Sequence, residues 1–98
     1  MFVKIHKSYR NVVAVCDAEL AGKYFDEGKF QLDVKESFSK GDKVSEEELL
    51  NIIKKMSAED STFNIVGKKS VEAAIKAGII KKEGVGKIAG IPYALVLI

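Results

Sequence analysis

An α+β fold, one mixed α/β sheet of about five or six strands with three helices packed on it, is predicted by three features of this sequence. Short apolar or alternating runs recur along the chain and are too short for helices. The segment from Ser45 to Lys55 carries helical periodicity together with a complete set of start signals. The stretch Phe63-Asn64-Ile65-Val66-Gly67, followed by Lys68 to Gly78, reads as a strand, a glycine pivot and a helix closed by a second glycine. At 98 residues the chain is expected to form a single domain, 1–98.

The elements follow in order. Phe2 to His6 and Val12 to Cys16 read as strands joined by Lys7-Ser8-Tyr9-Arg10-Asn11, a hairpin. Asp17 then suits the N-cap of a short helix whose apolar stripe is Leu20, Ala21, Tyr24 and Phe25, with Gly28 placed to stop it. Lys29 to Lys35 alternates, with Phe30, Leu32 and Val34 on one face, as a half-buried strand does. Glu36 to Asp42 reads as a loop. Ser45 and Glu48 form a capping box, Val44 and Leu49 a hydrophobic staple, and Leu49, Ile52, Ile53 and Met56 a core-facing stripe. Val85 to Ala89 and Tyr93 to Ile98 are two further strands, separated by Gly90-Ile91-Pro92. The last is almost wholly apolar and is expected inside the sheet, covered on both faces.

Composition narrows the class of protein. Hydrophobic residues at 47% with 31% charged residues describe a globular domain. The apolar run from Ile88 to Ile98 is far shorter than the roughly 20 residues of a membrane span, and no signal-peptide pattern opens the chain. One cysteine, Cys16, makes no internal disulfide, so a cytoplasmic location is expected. The net charge of +2 is unevenly spread. Residues 1–60 are net acidic, while the remainder carries Lys68, Lys69, Lys76, Lys81, Lys82 and Lys87 against Glu72 and Glu83. Such asymmetry fits a phosphate-rich partner or, alternatively, a solvated lysine surface. Only Arg10 among the 16 basic residues is arginine, whereas dedicated phosphate readers favour arginine's bidentate fork.

Catalytic chemistry finds few residues. His6 and Cys16 share a sheet face in a symmetric hairpin but stand four residues apart, roughly 13 Å at strand rise and too far for a nucleophile pair. A thiolate at Cys16 is the one enzymatic alternative, because the following helix start would lower its pKa. One Cys and one His do not build a zinc tetrahedron, and no cofactor is expected. Gly67-Lys68-Lys69-Ser70 echoes a phosphate loop, but Thr62 stands where that motif needs glycine. The acids Glu46 to Glu48 are explained by helix-end electrostatics.

Two constellations suit binding. At the first, free N–H groups of the helix starting after Gly67 would hold an anion, with Lys68 and Lys69 beside it and Lys81, Lys82 and Lys87 folding nearby. The alternative is an ordinary glycine cap with solvated lysines. At the second, Tyr9 in its loop beside Lys7 and Arg10 would stack on an unpaired base; the alternative is ordinary turn chemistry. Phe38 is expected to tuck into the core; the alternative is an exposed anchor for a partner.

The segments Ala14 to Lys23, Glu36 to Gly41, Asn64 to Gly67 with Val71 to Ile75, and Ile88 to Pro92 together resemble the archaeal proteins grouped as domain of unknown function 424. The resemblance runs through nearly the whole chain in order. It implies a small archaeal cytoplasmic protein and supplies no catalytic residues. A mixed-charge pair is usual in the family at Lys68 and Lys69, and histidine is common at Tyr93, so neither position resembles an essential group. The expected function is a non-catalytic binding module for RNA or a ribonucleoprotein, with no DNA motif and no membrane. The alternative is a protein–protein adaptor or homodimer using an exposed apolar patch or the Tyr93–Ile98 strand.

Overall fold

The computed structural model describes residues 1–97, and its sheet is organised around one hairpin and one parallel pair. Strands β1 (Phe2–His6) and β2 (Asn11–Cys16) pair antiparallel, Phe2 opposite Cys16 and His6 opposite Val12, the register a symmetric loop predicts. A small antiparallel sheet follows, β3 (Tyr24–Glu27) with β4 (Phe30–Asp33). Next come α1 (Glu36–Ser39), β5 (Asp42–Lys43), α2 (Glu46–Ser57), β6 (Ser61–Val66) and α3 (Lys68–Lys76). The hairpin β7 (Gly86–Ile88) and β8 (Ile91–Leu97) ends the described chain. The main sheet has six strands in the order β5-β1-β2-β6-β8-β7, and β2 with β6 is its parallel pair. This is an α+β fold with three helices.

Period-2 alternation divides the strands between two faces. Val3, Val13, Val15, Phe63, Ile65 and Ala94 point to the side covered by α2 and α3, where Leu49, Ile53, Met56, Val71, Ala73 and Ala74 meet them. Phe63 and Leu49 are fully enclosed, each burial stabilising by about 1.5–3 kcal/mol. On the second face Cys16, Leu20 and Val34 form a smaller core with Phe2, Phe25, Leu32, Val66 and Ile91. The β3–β4 hairpin and α1 therefore cover only part of that face.

The capping box of α2 forms in both directions: the Glu48 N–H donates to Ser45 Oγ, and the Ser45 N–H to Glu48 Oε1. After α3 the chain closes with a Schellman motif, the Gly78 N–H on the Ile75 carbonyl and the Ile79 N–H on the Ala74 carbonyl, with Gly78 at φ +81°.

Four expectations are corrected. The helix expected after Asp17 is a single 3-10 turn, Ala18–Leu20, and Tyr24 and Phe25 lie in β3. Gly22 turns the chain there, and Gly28 stands at the first central position of a two-residue hairpin loop rather than at a helix end. The loop expected over 36–42 contains α1 and the start of β5, a two-residue edge strand on β1. The turn between the last two strands is Ala89-Gly90, both at positive φ, so Ile91 and Pro92 belong to β8. Finally, β8 is interior in strand order, yet Leu95 and Leu97 are 63% and 70% exposed, because no layer covers their end of the second face. Ile98, the end of the expected strand, lies outside the described residues.

Candidate functional site

The start of α3 sits beside the end of β2 because β6, which leads into α3, runs parallel to β2 with Cys16 opposite Val66. Asp17 consequently lies against Gly67, and the Asp17 N–H donates to the Val66 carbonyl at 3.0 Å. Asp17 is only 4% exposed. The Lys69 N–H donates to Asp17 Oδ2 at 3.1 Å, while the N–H and hydroxyl of Ser70 both donate to Oδ1 at 2.8 Å. The Gly67 N–H donates to the Pro92 carbonyl.

Three of the four amides that open α3 are thus engaged within the chain. The anion site read from Gly67, Lys68 and Lys69 is corrected accordingly: the anion at this helix start is the carboxylate of Asp17. A negative charge there also removes the electrostatic objection to lysines in the first turn. Gly67 has its own reason to be glycine. It stands at φ +110°, and a Cβ there would lie 2.4 Å from Asp17 Cγ.

Of the C-terminal lysines, Lys81 and Lys82 do not join that helix start, whereas Lys87 stands opposite Pro92, whose carbonyl holds the Gly67 N–H. Lys68 and Lys69 open α3, whereas Lys81 and Lys82 follow its end, a helix of nine residues (about 13 Å) away. Lys87 is on the edge strand β7, and Lys76 pairs with Glu46 at 3.6 Å. Lys69 shares a shallow depression with Glu46 and Glu72.

Cys16 is 1% exposed in the smaller core, and its Sγ lies 3.8 Å from the Ser39 carbonyl. Burial, reinforced by the neighbouring Asp17 carboxylate, pushes its pKa up from 9.0 to about 11. The thiolate reading of Cys16 is therefore corrected as well. The helix start that was to lower its pKa is a 3-10 turn without a side-chain cap.

The second constellation has a different outcome. Tyr9 is fully exposed at the tip of the β1–β2 loop, with Lys7 exposed nearby. Arg10 is tied down, donating from Nε to Thr62 Oγ1 at 3.2 Å and from Nη2 to the Ser61 carbonyl at 3.3 Å. That loop adjoins the end of the second sheet face crossed by the rows Lys4-Ala14-Asn64-Leu95 and His6-Val12-Thr62-Leu97, which is covered by α1 at Ala14 and open at Leu95 and Leu97. Sequence reasoning missed this surface. Its signal was Asn64, a poor strand former placed mid-strand among apolar neighbours.

One border of the open end is built by α1. Lys4 Nζ donates to the Ser37 carbonyl at 2.6 Å, and His6 Nε2 donates to the Phe38 carbonyl at 2.9 Å. The Phe38 ring, expected in the core, stacks on His6 at 4.6 Å and 11° and stays 37% exposed. No strand position of the second face carries a carboxylate side chain among the described residues.

Comparison with known proteins adds the family and a fold match. The model of the family described as "Protein of unknown function (DUF424)" matches residues 6–98. No curated protein matches the chain. The chain is similar to the crystal structure of an uncharacterized conserved protein from Methanopyrus kandleri, with a TM-score of 0.87 at 20% identity. That match covers 98% of this chain and 90% of the other, and at this identity it speaks for the fold alone.

Proposed function

The chain belongs to the family of proteins of unknown function DUF424, and for this member we propose a non-catalytic RNA-binding role at the open end of the second sheet face. The observation that carries this reading is the fully exposed Tyr9, next to Lys7 and Arg10 and at the border of a face whose strand positions carry no carboxylate side chain among the described residues. An aromatic ring held in water gains by stacking on an unpaired base, and lysines beside it attract the backbone. The buried thiol and the engaged helix start leave the other candidate sites with less to offer a ligand.

Fluorescence anisotropy of a labelled RNA against salt concentration tests the role. Affinity should fall steeply with salt, Tyr9→Ala should weaken binding, and Lys7→Glu should reduce the salt slope by about one. Lys68→Glu with Lys69→Glu, at the end occupied by Asp17, should change binding much less. Absence of binding at low salt overturns the proposal. In that case a concentration-dependent dimer in sedimentation, abolished by Leu95→Ser with Leu97→Ser, would assign the exposed leucines to a second copy of the chain.

A further inference from the structure

Resting on the RNA reading above, we infer that the ligand is single-stranded and that Asn64 reads one of its unpaired bases at the inner edge of the open end, beside Leu95. Asn64 is half-buried on β6, between Ala14 of β2 and Leu95 of β8 in one row across the sheet. Its side-chain amide has no hydrogen-bond partner among the described residues, yet it is not sealed from solvent. An unpaired donor and acceptor, fixed side by side on a rigid strand, match the edge of a base. The fold draws nothing from them: asparagine is disfavoured in mid-strand, and a β-branched residue would serve the sheet better.

The neighbours decide between single strand and duplex. Leu95 and Leu97, exposed at 63% and 70%, offer aliphatic surface that phosphates have no use for and that base faces cover favourably. A duplex presents its sugar–phosphate rim and keeps its base faces stacked inside; only unpaired bases reach such a floor. Lys4 on the far strand β1, its ammonium on the Ser37 carbonyl, sets positive charge on one side, where a backbone would run. With no carboxylate at a strand position of this face among the described residues, that side suits a polyanion.

The test measures binding of the full chain to ten-nucleotide homopolymers of each base and to a duplex of the same length. Single strands should bind at least tenfold tighter than the duplex, with one base preferred. Asn64→Ala and the strand-compatible Asn64→Thr should reduce the base preference by about 5- to 100-fold while leaving the salt slope unchanged. Circular dichroism of both variants confirms folding, and a fold lost in one is checked by the other. Equal affinity for duplex and single strand, or a base preference that survives both substitutions, overturns this inference while the RNA role stands. Failure of every RNA to bind at low salt overturns both.

Discussion

Asp17 and Gly67 are the pair on which the centre of the molecule turns. The carboxylate caps a helix that begins some fifty residues later, and the glycine exists so that the carboxylate fits. Asp17→Ala removes three hydrogen bonds to a charged acceptor in a buried setting and should cost about 3 kcal/mol in urea unfolding. Gly67→Ala should cost a similar ~2–3 kcal/mol, part from the positive φ and part from the Cβ against the carboxylate. In the double variant the steric part disappears, so the two costs should fall short of additivity by about 1–2 kcal/mol. Strict additivity would mean that the carboxylate moves aside freely. Asp17 was legible as a capping residue but not as the cap of this helix, because the parallel register that joins the two sites is a long-range fact. The same limit hid Asn64, whose environment comes from strands on either side of it.

At the scale of elements, legibility follows the range of the determining interactions. Helix α2 is written locally, since its cap, staple and stripe all lie within twelve residues of Ser45. Ser45→Ala should accordingly lower stability by about 0.5–2 kcal/mol while Ser45→Asp leaves it nearly unchanged, as measured by thermal unfolding. The segment after Asp17 is the opposite case. Leu20, Ala21, Tyr24 and Phe25 satisfy a helical stripe, and they also satisfy a turn followed by a strand. Glycines at φ +85° and +62° settle the matter for the hairpin, and the smaller core rewards Phe25 and Leu32 on one face of it. In the last hairpin, Ala89 at φ +51° beside Gly90 places the turn one to two residues earlier than the proline had suggested.

For the whole molecule, the sheet keeps two cores of unequal size, and the smaller one holds the only ionisable sulfur. Above pH 9.0 the unfolded thiol loses its proton, while the folded one keeps it to about pH 11. The unfolded state then binds fewer protons, so stability falls as pH rises through this window. Wild type should therefore lose stability relative to Cys16→Ala between pH 9 and pH 11, and its thiol should react with a disulfide reagent only on opening of the hairpin side. A stability difference that stays flat with pH would show that water reaches Cys16. The sequence by itself determined the α+β class, the β1–β2 register, α2 and the strand–glycine–helix unit, because alternation, caps and glycine pivots act over a few residues. Only the tertiary structure decided which anion occupies the start of α3, which face of β8 stays uncovered and where Asn64 points. Those outcomes depend on which strands become neighbours, and that choice is made by burying apolar surface across the whole chain, not by any short segment of it.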